Sequence, residues 1–98
     1  MMNPEEYDLE LKEAVYTIIS TRLGVPTNQI NLESRFKEDL SADSLDNIEL
    51  VQDFEEKFDI EISDEAAITL LRVRDVLDYI PTKCPDYKDK LKPLKSSA

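Results

Sequence analysis

The run from Lys37 to Glu65, KEDLSADSLDNIELVQDFEEKFDIEISDE, holds twelve carboxylates against two lysines. Ser44 lies inside it, directly after Asp43 and two residues before Asp46. A serine hydroxyl acts as a nucleophile when a neighbouring base takes its proton. The chain has no histidine, which removes Ser-His-Asp and Cys-His catalysis, His-ligated zinc and the commonest general base. The acids match a calcium loop only at its start. Asp39, Ser41 and Asp43 have the first three spacings, but the sixth position is Ser44 rather than glycine and the twelfth is Leu50 rather than glutamate. No metal ligands are assigned, although loose divalent binding by clustered acids stays open. A covalently held phosphate is compatible with Ser44. The residue falls in the expected first turn of a helix, where unpaired N–H groups and the macrodipole favour an anion by ~0.3–1 kcal/mol at an exposed site. Asp43 and Asp46 would oppose capture of a free phosphate. On the residues alone, Ser44 could equally be part of a helix cap and the acids a solvated face.

The elements that would position this serine follow from apolar spacing. NPEEYDLELKEAVYTIISTRLG reads as a first helix, with Asn3 as its cap, Pro4 in its first turn and Glu6 completing a capping-box spacing. Its apolar positions are Tyr7, Leu11, Ala14, Val15 and Ile18, and Gly24 is placed to end it. VPTNQINLESRFKEDLSA is a long connection whose apolar residues, Val25, Ile30, Leu32, Phe36 and Leu40, are too irregular for a helix or an alternating strand. A connection this long must pack to belong in a small domain. The second helix runs from about Ser44 to Phe58, capped by Asp43, with Asp46 near its positive end. Ile48, Val51, Phe54 and Phe58 form its apolar stripe with Leu50 beside it, and Asp46, Glu49, Asp53 and Glu56 follow the opposite side. A short helix, DEAAITLL, is capped by Ser63 or Asp64. VRDVLDYI is the last helix, burying Val73, Val76, Leu77 and Ile80, and Pro81 stops it. Residues 81–98 have three prolines, five lysines and two aspartates and read as a flexible basic tail.

Length and charge narrow the function classes. A chain of 98 residues makes one domain with a small core. The net charge of −10 argues against nucleic acid and against anionic membrane surfaces, and favours basic protein partners. There is no apolar run of membrane-span length, so no membrane insertion is expected. The acidic start lacks the features of a secretory signal, and Cys84 is the single cysteine. Both fit a reducing compartment, expected to be the cytoplasm.

The segment EDLSADSLDNIELVQDFEEKFDIEISDE resembles the central part of acyl carrier proteins. Asp43-Ser44-Leu45-Asp46 stands where that family has its attachment motif. IELV, FEEKF and I-x-I-x-DE follow in family order, and the looser match spans roughly residues 7–80. The resemblance implies an all-α four-helix bundle of three main helices, one short helix and a long first loop, with the carrier domain in residues 1–80. It implies that Ser44, flanked by Asp43 and Leu45, accepts 4′-phosphopantetheine from a separate holo-acyl-carrier-protein synthase. The protein would then be no enzyme itself. It would carry acyl chains as thioesters, most commonly in fatty-acid biosynthesis, and meet acyl transferases and ketosynthases as a monomer. Asp43, Leu45, Asp46, Ile48, Glu49, Glu55 and Glu56 would form most of an electrostatic docking strip. A dedicated carrier for a polyketide or specialised lipid, and an unmodified acidic helical adaptor, are the alternatives.

Several residues depart from the family pattern. Ser41 stands where many members have glycine, which implies a stiffer loop. Gln52-Asp53 replaces a usual Met-Ala pair, making the docking face more polar. Phe54 replaces a common leucine and is expected to narrow the cavity that shelters acyl chains. Leu71-Arg72 replaces a threonine cap, so a less crisply capped last helix is expected. Ile68, Leu70 and Leu71 make the third helix unusually apolar, so that it either packs deeper or presents a sticky spot. Cys84 reads as an incidental thiol in the tail.

Overall fold

The computed structural model describes residues 7–91. Five helices occur among them: α1 (Leu9–Leu23), α2 (Ser44–Phe58), α3 (Asp64–Ala67), α4 (Val73–Lys83) and α5 (Tyr87–Leu91). The first four are the expected bundle, three long helices and one short. The fifth was not expected. The proposed cap Asn3, with Pro4 and Glu6, lies outside the described residues. Helix α1 begins later than expected, at Leu9, because the Asp8 carboxylate accepts from the Glu10 and Leu11 amides at 2.9 and 3.4 Å. Tyr7 therefore precedes the helix. Its ring is buried and its hydroxyl donates to Asp78 Oδ1 on α4 at 2.9 Å. Gly24 ends α1 as expected, at φ 72° with its N–H on the Ser20 carbonyl.

Each long helix contributes a stripe to one core. Leu11, Val15 and Ile19 bury from α1, and Val73, Val76, Leu77 and Ile80 from α4. In α2 the buried residues are Leu50, Phe54 and Phe58, spaced four apart. The expected α2 stripe is thereby rotated: Val51 is only partly buried and Ile48 is 55% exposed.

The connection between α1 and α2 packs as required, but it is more regular than its sequence suggests. Ile30, Leu32, Ser34 and Phe36 are buried while Asn31, Glu33 and Arg35 are exposed. Inward and outward residues alternate although the chain is not a strand here: residues 32 and 33 form a turn, closed by the Ser34 N–H on the Asn31 carbonyl at 3.1 Å, and the polar inward Ser34 disguises the alternation in sequence. Ser34 Oγ accepts from the Asn31 N–H at 3.0 Å, which makes its burial tolerable. The segment pairs antiparallel with the entry to α4 through a bridge between Arg35 and Arg72. Phe36 N–H donates to Leu71 O, Val73 N–H to Ser34 O and Arg74 N–H to Leu32 O. The first two amides of α4 thus find partners in the loop. Asp75 Oδ2 accepts from the Leu71 and Arg72 amides at 3.0 and 2.9 Å. The α4 start is therefore well satisfied without a threonine cap, contrary to expectation. Arginine has no acceptor, so only this half of a capping box forms.

Pro81 does not stop α4. The helix continues to Lys83, and Cys84 N–H bonds the Ile80 carbonyl at 2.8 Å. A proline in the last turn removes one bond to the Leu77 carbonyl, and the buried Ile80 and Cys84 on either side hold the turn in place. Residues 81–91 are folded onto the bundle, with Cys84, Tyr87 and Leu91 in or against its core; residues 92–98 lie outside the described residues. Tyr87 Oη donates to Asp8 Oδ2 at 3.0 Å, Lys88 Nζ lies 3.2 Å from the same oxygen, and Lys90 Nζ lies 3.8 Å from Asp59. Cys84 is buried, its Sγ 3.5 Å from the Phe58 carbonyl and 3.3 Å from Asp86 Oδ1. Burial, then the contact with Asp86, raises its thiol pKa, so it is not an exposed reactive thiol.

Asp8 therefore joins the two ends of the described chain. Burial acts to raise its pKa, but the Tyr87 hydroxyl, Lys88 and the two amides outweigh that, and the carboxyl lies below its ordinary value of 3.8. A depressed carboxyl stabilises the fold above its unfolded pKa, and that contribution disappears as pH falls through the lower folded value. The Tyr87 ring signals in NMR are expected to hold their native positions at neutral pH and to move below pH 3.8. In Asp8→Asn they should already be displaced at neutral pH, with the acid transition weakened. Identical profiles in the two proteins would show that Asp8 does not hold α5.

Candidate functional site: the start of the second helix

Asp43 and Asp46 set the site. Asp46 N–H donates to Asp43 Oδ1 at 2.8 Å, and Asp43 N–H donates to Asp46 Oδ2 at 3.2 Å. This reciprocal capping box makes Ser44 the first residue of α2. The chain reaches it through Ala42, which is buried with its N–H on the Phe36 carbonyl at 2.8 Å. Before that, Ser41 turns at φ 61°, a left-handed conformation that glycine adopts without strain and serine does not. The Ser41 departure thus sits at a position with a physical preference for glycine. Arg35 closes the same loop on Asp39, through its amide at 2.8 Å and its guanidinium at 3.2 Å. The first of these contacts in strength, the guanidinium, holds the Asp39 carboxyl below its ordinary pKa.

Ser44 is exposed, and nothing among the described residues hydrogen-bonds its hydroxyl. Leu45 is 61% exposed beside it. Asn47 and Ile48, one turn on, share its helix face and line a cavity of about 480 Å³. Phe36, Leu50, Val51 and Phe54 form one part of its wall, and Ala67, Ile68, Leu70 and Leu71 another. The size and apolar lining suit a small-molecule or alkyl-chain guest. Helix α3 is shorter than expected, ending at Ala67, with Ser63 as its cap. The apolar residues after it divide: Leu70 is half-buried against the core, while Ile68 and Leu71 are 73% and 64% exposed at the cavity rim. Among the described residues no group of three or more His, Cys, Asp or Glu could hold a metal ion. No helix there is long and apolar enough to cross a membrane.

The expected docking residues divide. Asp46, Ile48 and Glu56 lie on the surface of α2. Glu49 and Asp53 are engaged by Arg22 of α1: its Nε and Nη2 reach Asp53 Oδ2 and Oδ1 at 2.8 and 2.9 Å, and its Nη1 reaches Glu49 Oε1 at 3.3 Å. Glu55 turns away from the strip, accepting from the Ile62 N–H at 2.7 Å and closing the turn after α2. Arg22 was not singled out from sequence. A basic residue in a helix's last turn is common, and nothing local marks a partner 31 positions away.

Comparison with known proteins shows the family. A sequence profile for the family Phosphopantetheine attachment site matches residues 13–80. The chain is similar to the acyl carrier protein of Chloroherpeton thalassium, 49% identical over 74 residues that span 76% of this chain and 92% of the relative. It is similar to that of Chlorobium phaeobacteroides, 45% identical over 76 residues that span 78% of this chain and 97% of the relative. The chain belongs to the acyl carrier protein family. It is a carrier rather than a catalyst, and its cofactor is covalent 4′-phosphopantetheine. The site fits that group: an exposed hydroxyl, with no competing partner among the described residues, stands one helical turn from an apolar cavity. In this carrier, replacing Asp43 by alanine is expected to cost ~1 kcal/mol, as loss of an N-cap does. Urea unfolding would measure it; an unchanged midpoint would mean that the box does not fix the start of α2.

Proposed function

We propose that Ser44 is the attachment point of 4′-phosphopantetheine and that the carrier delivers acyl chains among enzymes of fatty-acid biosynthesis in the cytoplasm, acting as a monomer. The observation that carries this is the exposed Ser44 hydroxyl at the first position of α2, unpaired among the described residues and held there by the Asp43–Asp46 box. When bound, the group supplies a thiol on which acyl chains are held as thioesters. The protein's own residues do the rest. Asp43 and Asp46 fix the direction in which the hydroxyl is offered, and with no histidine in the chain to take its proton its activation is left to a holo-synthase. Leu45 and Ile48 flank it with apolar surface. The cavity between α2 and the α3–α4 connection offers an acyl chain shelter from water, with Ile48 at its mouth and Phe54 in its wall. Asp46 and Glu56 offer carboxylates to basic patches on acyl transferases and ketosynthases, giving fast and releasable contact. A dedicated carrier for a polyketide or specialised lipid is the second reading. The Arg22–Asp53 pair and the exposed Ile68 and Leu71 favour it, because they give the docking face a particular character.

Two experiments test this. Incubation with a holo-synthase and coenzyme A, followed by intact-mass measurement, should add one phosphopantetheinyl group to the native chain and none to Ser44→Ala. An equal gain on both would refute the attachment site. Phe54, 2% exposed, tests the cavity. Loading acyl groups of increasing length should shift core NMR signals up to a limiting length, and Phe54→Leu should extend that limit. The same limit in both proteins would show that the ring does not bound the cavity.

A further inference from the structure

The acids along the outer side of α2, Asp46, Glu49, Asp53 and Glu56, cover eleven residues, about 15 Å of helix from first to last at the usual rise. They do not form one continuous anionic strip. Arg22 stands on the middle of the line, holding both oxygens of Asp53 and one of Glu49. The group is at the surface: the side chains of Arg22 and Glu49 are each 37% exposed, and that of Asp53 is 24%. A guanidinium has five N–H donors, and those not used on Asp53 and Glu49 remain for a visitor. The bidentate geometry leaves Asp53 with little to offer a partner's arginine or lysine. Gln52, exposed and neutral, adjoins it. The chain has thus replaced anionic acceptors by a donor at the centre of the face while keeping carboxylates at its ends.

We propose that Arg22 is a specificity-determining residue of the docking face. It selects enzymes whose docking patch places basic side chains at two ends, about 15 Å apart, around a central amide or carboxylate that accepts from Arg22. It works against enzymes whose patch is continuously basic, because a central cation there meets Arg22. This rests on the reading of α2 as the docking face of a carrier. It also gives Asp53 a role, as the residue that fixes Arg22 in place.

The test uses the full chain and a holo-synthase with a continuously basic docking patch. Steady-state modification by coenzyme A is followed for the native protein, Arg22→Gln and Arg22→Lys, at low and high salt. Arg22→Gln should lower KM about 3-fold at low salt, the size expected of one exposed charge contact. The difference should vanish at high salt, and Arg22→Lys should keep the native KM. A residue that only staples α1 to α2 would lose melting temperature on substitution without lowering KM. Equal or raised KM for Arg22→Gln at low salt overturns the inference while leaving the carrier reading intact. No mass gain on the native chain overturns both.

Discussion

Two hydrogen bonds exchanged between Asp43 and Asp46 fix where α2 begins, and the geometry of the site follows from that start. An α-helix turns by about 100° per residue. With Leu50, Phe54 and Phe58 in the core, Ser44 points roughly 120° away from Leu50 and Ile48 lies within about 40° of Ser44. One helix phase thus puts a hydroxyl in solvent and a cavity-lining residue directly beyond it. The left-handed Ser41 and the buried Ala42 deliver the chain to this start.

The acids of this chain serve two purposes, and the structure separates them. Asp8, Asp39, Glu55 and Asp75 are structural, each accepting from backbone amides. Glu49 and Asp53 are tied to Arg22. What remains for partners is a smaller and more patterned set than the net charge of −10 implies. The basic residues of α5 act in the same sense, lying against Asp8 and Asp59 rather than extending from the body.

Local signals were legible in the sequence. Gly24 as a helix end, Asp43 as a cap and the span Ser44 to Phe58 are each decided by a few neighbouring residues, and the structure has them as read. The features that were hidden depend on distant partners. Ser34 breaks the apolar alternation of the long loop, and its inward position makes sense only against α4 and Asn31. Arg72 looks like a poor cap until the Ser34 and Leu32 carbonyls are seen to receive the α4 amides. Pro81 and the lysines after it read as a stop and a tail, because the burial of Ile80 and Cys84 and the anchor at Asp8 are tertiary facts. Ile48 has the spacing of the core stripe yet is 55% exposed, because the buried stripe of α2 runs through Leu50, Phe54 and Phe58 instead.

The most direct measurement is peptide-level mass spectrometry of the modified protein, which locates the added group as well as counting it. The account predicts that the phosphopantetheinyl mass is confined to the peptide containing Asp43-Ser44-Leu45 and fragments to Ser44. The same mass on any other peptide, including the one with Cys84, would contradict it.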